Sequence, residues 1–508
     1  MMTTAQPLDF DWRHAVADDN GELLPADTMN RGAHAQFLTQ FLVAKGTEQN
    51  YILNLNSGWG GGKSWFIKRW KKTIESRYPA IYVDAWKNDH SKDPFLCVVS
   101  EIKTSLIDKT EMKGLASPGM EKALNIFKAA APALIKGILK KHGADIEVIA
   151  EAIDSEALAE GGAKLVEDLI KNHEQTTASI EAFKLSISEW LRVAIEQSEG
   201  QIDYPLFIFI DELDRCRPTF AIEMLETVKH IFDMKKVVFV IATDKEQLQH
   251  SIRAVYGAGF DSARYLDRFF HRSVVLQNDS VDNQINAMIA ASTVFNPQDF
   301  TFKRHILSVS QHPKMISGWF ATIANVFRMN LRTMNLWFDR VESVVATNEK
   351  IDILFFSFLM ALYTVKPEVY KQYSYNKTPL KEIEGVASIL GDTYILVAWS
   401  YQDCIKDIES MYTGHKKYKA IRERKMKLAT YIFHVDEFSR RPSASFKEKN
   451  ELMLEFVNNY SMEADDDLTF NNDILPSGME STLGLNMIEL NHTYTSYRNL
   501  CELATTLR

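Results

Sequence analysis

Apolar residues follow two rhythms along this chain. Five short runs are rich in β-branched and aromatic residues and predict strands: YILNLN (51–56), IYVDAW (81–86), YPLFIFI (204–210), VVFVIAT (237–243) and the weaker SVVLQ (273–277). Between them the spacing turns helical. RGAHAQFLTQFLVAK (31–45) and SWFIKRWKKTIESRY (64–78) carry their apolar positions on one helix face. Residues 94–200 are rich in Ala, Glu, Lys and Ile with little β signal, and from about 280 onward the pattern is almost entirely helical. Short strands that are apolar nearly throughout need cover on both faces, which a parallel sheet flanked by helices supplies. The expected fold class is therefore α/β, with a long helical insertion and a helical C-terminal half.

This pattern divides the chain into an irregular lead-in and one helix at 1–45, an α/β core at 46–280 and helical regions at 281–345 and 346–508. The core carries a helical insertion at about 103–200. Two stretches come nearest to a membrane span. Residues 123–139 are interrupted by Lys128, Pro132 and Lys136, and residues 351–365 are short and contain Asp352. A span takes about 20 apolar residues, so both are expected to be helices buried against protein, the first a candidate partner-binding helix. The N-terminus has no basic stretch followed by an apolar one, so it does not read as a secretory signal.

Composition narrows the classes. The 508 residues are 46% apolar and 25% charged, which excludes global disorder, a collagen-like fibre and a small disulfide scaffold. Lys and Arg number 58 against 67 Asp and Glu, a formal charge of −9, so nucleic-acid binding is not indicated unless a local patch provides it. Cys97, Cys216, Cys404 and Cys501 are scattered, as expected of a reducing, cytoplasmic setting.

The strongest local signal is SGWGGGKS, Ser57 to Ser64, lying between a predicted strand and a predicted helix. Glycines at 58, 60, 61 and 62 let a turn direct its N–H groups, that of Trp59 included, at a phosphate, and the helix N-terminus adds positive potential. Lys63 is placed to reach the outer phosphates and Ser64 to ligate Mg²⁺. The pattern GxxxxGK[ST] has Gly at its first position where this chain has Ser57. YPLFIFIDELDR (204–215) ends an apolar strand in Asp211 and Glu212, at the strand end where parallel sheets bind ligands. Asp211 is placed to hold Mg²⁺ and Glu212 to polarise a water. Thr243 and Asp244 end the next apolar strand; they are candidates to sense a γ-phosphate, or either one caps the following helix.

Beyond these motifs, FIFIDELDRCRPTFAIEMLETVKHIFDMKKVVFVIATDKEQLQHSIRAVYG (207–257), YLDRFF (265–270) and VDAWKNDHSKDPFLCVVSEI (83–102) resemble the KAP family of P-loop NTPases, relatives of the AAA+ and STAND ATPases, over about residues 25–340. The resemblance implies a strand order of 5-1-4-3-2, ATP with Mg²⁺ as ligand, and ATP hydrolysis. It makes 281–345 a helical lid. It also implies an insertion between the two motifs that often carries membrane helices; here the insertion lacks a convincing span. By the same resemblance, Arg264 and Arg268 are candidate fingers acting on a neighbouring subunit, so a homo-oligomer is expected. Arg332 resembles a lid arginine that reports the γ-phosphate, and Arg31 a residue lining the adenine pocket. Partner proteins from the same operon and an anti-phage role complete what the resemblance implies. The alternative is a nucleotide-stabilised scaffold with negligible turnover.

Two further patterns are read as structural. The basic run HKKYKAIRERKMK (415–427) is expected to be a solvated helix face, and the Trp and Phe stripe at 319–338 to be core. The histidines show no HxxxH, HExxH or Cys/His spacing that would indicate zinc.

Overall fold

The computed structural model describes residues 7–90, 94–104, most of 181–276, 281–295, 313–347, 351–399, 422–441 and 494–506. Most of the insertion, including 123–139, and the acidic stretch 463–473 lie outside the described residues. The chain divides into two compact units, Met1–Gln277 and Asn278–Arg508.

The first unit is built on five strands: β1 (Tyr51–Asn56), β2 (Ala80–Asp84), β3 (Leu206–Asp211), β4 (Val237–Thr243) and β5 (Arg272–Val275). All neighbouring pairs are parallel, and the order across the sheet is 5-1-4-3-2, as the family resemblance implies. The apolar runs are continuous because alternate side chains serve two different cores. Phe207 and Phe209 of β3, with Val238 and Val240 of β4, face helices α1 (Arg31–Gly46) and α2 (Lys63–Ile74), meeting Leu42, Phe66 and Trp70. Ile208, Ile210, Phe239 and Ile241 pack on the other face. Their partners come from α3 (Pro94–Lys103), α4 (Pro218–His230) and α5 (Lys245–Tyr256), which bring Phe95, Phe220, Leu225, Leu248 and Ile252. Full burial of each such side chain contributes about 1.5–3 kcal/mol. A short helix α6 (Ser262–Asp267) precedes β5.

The lead-in is less irregular than its composition predicts. Val16–Ala17 pairs with Leu23–Leu24, and Trp12 is buried against Phe66 with its indole N–H donating to Thr73 Oγ1 at 2.8 Å. Of the four cysteines, Cys97, Cys216 and Cys501 are buried and form no disulfide among the described residues, and Cys404 lies outside them.

The second unit comprises α7 (Val281–Ala291), α8 (Pro313–Val326), α9 (Leu331–Thr347), α10 (Ile353–Val365), α11 (Pro367–Ser374), α12 (Val386–Leu390), α13 (Leu428–Ser439) and α14 (Tyr494–Thr506). The aromatic stripe is core: Phe320, Phe327, Trp337 and Phe338 are all buried. One expectation is corrected. Arg422–Lys427 of the basic run is a strand, β7, paired antiparallel with β6 (Tyr394–Trp399), while 415–421 lie outside the described residues. The β-branched and aromatic run YILVAW supplies a ladder that the alternating RERKMK can join, and that pairing overrides helix propensity. Among the described residues no helix is long and apolar enough to cross a membrane.

Helix α10 is apolar on every side and buried from Ile353 to Leu362. Its N-cap is a buried carboxylate. Asp352 Oδ1 accepts from Phe355 N at 2.8 Å, Asp352 Oδ2 accepts from the Tyr431 hydroxyl, and Asp352 N donates to Tyr497 Oη at 3.2 Å. One residue thus ties α10 to α13 and α14. Burial pushes its carboxyl from the ordinary 3.8 up to about 6, against the hydrogen bonds it accepts. A carboxyl with a raised folded pKa binds its proton more readily in the native chain, so ionising it at pH 7 costs stability and protonating it towards pH 4 removes that cost. The whole difference is about 3 kcal/mol. Asp352→Asn cannot ionise. The stability of the wild type relative to this variant, measured by urea unfolding, is therefore expected to rise as the pH falls from 7 to 4.5. A difference that stays constant across that range refutes the assignment.

Candidate functional site

The turn between β1 and α2 starts from the sheet itself. Ser57 N donates to Thr243 O at 3.1 Å, which carries the β1–β4 ladder one step past the strand end. Each special residue in the turn has its own reason. Gly60 and Gly62 sit at φ of 76° and 81°, in the region where L side chains are strained. Gly61 is needed for closeness, because a Cβ there would lie 2.1 Å from Ser57 Oγ. Ser57 is not among the residues with positive φ, which is why Ser is tolerated where the pattern has Gly.

Lys63 opens α2 and is buried. Its Nζ donates to Ser57 O at 2.6 Å and stands 4.0 Å from Asp214 Oδ2. Ser64 Oγ donates to Glu212 Oε1 at 3.1 Å. The two sequence motifs therefore meet, although Ser64 and Glu212 are 148 positions apart. Asp211 is wholly buried at the end of β3. Its Oδ2 accepts from the Tyr82 hydroxyl at 3.0 Å and its Oδ1 from Glu212 N at 2.9 Å. Burial pushes the Asp211 carboxyl up, opposed by hydrogen bonds from Ser64, Tyr82 and Glu212 N and by the Lys63 charge. Burial and then the Asp211 charge push Glu212 up as well. The Tyr82 phenol is driven far up by burial and by Asp211, so it remains a donor.

Glu212 has left-handed backbone angles, φ 60° and ψ 23°, at the start of the 3-10 turn Leu213–Arg215. A non-glycine residue there stores about 1–2 kcal/mol. The conformation turns its carboxylate back to the sheet edge, where Arg215 Nε pairs with Oε2 while Ser64 takes Oε1. Arg215 also lies over the exposed Trp86 ring, 5.5 Å from its centroid.

Thr243 is buried and its Oγ1 accepts from Asn54 Nδ2 at 2.6 Å, beneath the turn. Asp244 caps α5, accepting from Glu246 N and Gln247 N at 3.2 and 3.3 Å. Its Oδ2 also lies 3.9 Å from where a Cβ on Gly58 would be, so the capping residue borders the turn.

Other expected residues lie apart from this cluster. Arg264 and Arg268 are exposed on α6 and just after it, and make no side-chain hydrogen bond or ion pair to the turn or the acids among the described residues. Arg332 is exposed on α9 of the second unit. Arg31, which the family resemblance places at an adenine pocket, meets the glycine turn in this structure. It is buried, its Nη2 donates to Gly61 O at 2.7 Å and its Nη1 to Gly62 O at 3.4 Å, so it braces the glycine turn. Burial lowers its pKa to about 10.

Four residues of the cluster carried no role in the sequence reading: Asn54, Tyr82, Asp214 and Arg215. Asn54 had a signal, as a polar residue inside the apolar YILNLN run. Asp214 and Arg215 stand in the DELDR string that carries the family resemblance, but nothing in the string says where their side chains go. Tyr82 had none, since a Tyr in a strand reads as packing.

The donor set matches a polyphosphate with a divalent cation: a turn that a single Cβ would fill, a buried ammonium, a hydroxyl and two carboxyls at one sheet edge. Comparison with known proteins agrees. A model of the KAP family P-loop domain matches residues 33–345. The Phage T7 exclusion protein of Escherichia coli (strain K12) is 19% identical over 281 residues, covering 52% of this chain. The match spans only 35% of that relative's own length.

The brace from Arg31 generates a prediction. Arg31→Ala removes the donor on the Gly61 carbonyl and is expected to cost about 1–3 kcal/mol of stability, read by urea unfolding. Amide hydrogen exchange at 58–63 should quicken in the same variant. Unchanged exchange there would show that the guanidinium does not hold the turn.

Proposed function

The chain belongs to the KAP family of P-loop NTPases, and from that premise we propose that it binds and hydrolyses ATP as a switch or motor subunit of a larger assembly. The observation that carries this reading is the convergence of Lys63, Ser64, Asp211 and Glu212 at one edge of the parallel sheet. The backbone N–H groups of Gly58 to Gly62, Trp59 included, would cradle the phosphates, with the N-terminus of α2 adding positive potential. Lys63 would exchange the Ser57 carbonyl for a phosphate oxygen. Ser64 and Asp211 would hold Mg²⁺, which when bound neutralises charge on the phosphates. Glu212, its proton affinity raised by burial and by Asp211, suits a base that accepts a proton from attacking water. Thr243 and Asp244 border the turn closely enough for loss of a phosphate to be felt at the start of α5.

The exposure of Arg264 and Arg268 supports a trans role, in which each stabilises transition-state charge on a neighbouring copy, so the assembly is a homo-oligomer. Arg332 takes the part of the lid arginine in the second unit. The similarity to the Phage T7 exclusion protein supports bacterial anti-phage defence as the setting, beside partner proteins from the same operon.

A second reading has one observation in its favour. Arg215 and Ser64 engage both oxygens of Glu212, which withdraws the base from water and suits a scaffold that binds ATP and barely turns it over.

Two variants separate the readings. Lys63→Ala is expected to abolish the thermal shift that ATP with Mg²⁺ gives the wild type. Glu212→Gln is expected to keep that shift and lose at least about a hundredfold in phosphate release. Phosphate release equal to that of wild type from Glu212→Gln rejects Glu212 as the base, and negligible release from the wild type favours the scaffold.

A further inference from the structure

Asp214 is a charged side chain held in the interior, 7% exposed, one turn beyond the metal-binding candidate Asp211. A carboxylate is retained away from water only against donors and cations. Among the described residues, the donor that reaches it and the cation beside it both come from the phosphate loop, and Glu212 and Cys216 also lie within reach of its charge. Its Oδ2 accepts from the Trp59 indole Nε1 at 2.6 Å and stands 4.0 Å from Lys63 Nζ. Its Oδ1 is buried with no hydrogen-bond partner.

Trp59 is the complementary half. It occupies the tip of the loop between Gly58 and Gly60, and it is 49% exposed, so packing does not anchor it as a core residue. Its indole N–H is a polar handle on an otherwise apolar ring, and Asp214 takes that handle. Across the tip, the loop's own backbone supplies the bond from Gly61 N to Gly58 O, 3.1 Å long. The indole contact adds a tether from the tip to the acidic turn.

We infer that Asp214 is a positioning residue for the phosphate loop: it fixes the tip through the Trp59 indole and holds the Lys63 ammonium beside the loop until a phosphate takes it over. When Lys63 leaves, the Trp59 N–H is the donor that keeps the buried carboxylate compensated, so the tether preserves the loop's shape at the moment of ligand exchange. This inference rests on the nucleotide-binding reading above.

The test is a double-mutant cycle on the full chain, read as affinity for ATP with Mg²⁺ by titration calorimetry. Trp59→Phe keeps the ring and removes the donor, and Asp214→Ala removes the acceptor. Each is expected to weaken binding about tenfold, and the double variant no further than either single. Asp214→Asn keeps an acceptor for the indole and is expected to recover most of the loss. A general loss of fold would not produce this non-additivity or this rescue. Additive losses overturn the inference. So does wild-type affinity in Trp59→Phe, a change at a half-exposed residue that gives an answer even should Asp214→Ala not fold. Wild-type protein that binds, loses binding in Lys63→Ala and keeps it in both Trp59→Phe and Asp214→Ala refutes the positioning role alone. Wild-type protein that does not bind ATP with Mg²⁺ refutes the nucleotide reading and this inference together.

Discussion

A carboxylate with no exposure to water, Asp211 at the end of β3, has to be compensated by groups brought to it, and those groups compose the site. Tyr82 arrives from the edge strand β2, the Lys63 charge from the first turn of α2, and the Glu212 N–H from the residue that follows. None of this is possible without the parallel arrangement, which delivers the C-terminal ends of all five strands to a single edge. The bond from Ser57 to Thr243 then fixes where the glycine turn begins relative to β4. Burial of one acid, continuation of one ladder and a turn built on glycines are thus three faces of the same construction.

The site is electrostatically closed on itself. Lys63 is partnered by Ser57 O and faces Asp214, Ser64 donates to Glu212, and Glu212 is paired with Arg215. A ligand entering here has to replace several internal partnerships at once. A simple anion could satisfy Lys63 but would face Asp211, Glu212 and Asp214 nearby. A simple cation could satisfy the acids but would face Lys63. A polyphosphate carrying a divalent cation presents both signs in the needed order, which gives selectivity by charge pattern rather than by net charge. By the same logic, a formal charge of −9 over the whole chain is no obstacle to the polyanion proposed as its ligand.

The second unit uses a buried acid for a different end. Asp352 caps an apolar helix and collects a tyrosine hydroxyl from each of two others, so that a polar group specifies which helices meet within an apolar interior. Asp211 and Asp352 are both forced up in pKa by burial, yet one lies at a strand end beside a glycine turn and the other within a helical core. Burial of an acid alone therefore does not identify a functional site. The neighbouring lysine, the glycine turn and the second carboxyl do.

Much of this was legible in order along the chain. The apolar runs marked all five strands, to within about two residues at most of their ends, because a strand covered on both faces has no polar alternation to obscure it. Local strings sufficed for the loop and the acid pair, and they narrowed the helix cap to Thr243 or Asp244, since each depends on backbone geometry set by a few adjacent residues. The strand order came from family resemblance and not from the residues' own spacing, because pairing between parallel strands leaves no local signature. The basic run was misread for a related reason: whether RERKMK is helix or strand is decided by the YILVAW segment it pairs with. Tyr82, Asn54, Asp214 and the brace from Arg31 likewise acquire their roles only through contacts across 30 to 189 positions. The amino-acid order by itself determined which segments become strands and helices and where a phosphate loop and an acid pair stand. Only the tertiary structure decided which side chains meet at that edge, because hydrogen bonds between distant residues exist once the sheet has closed and not before.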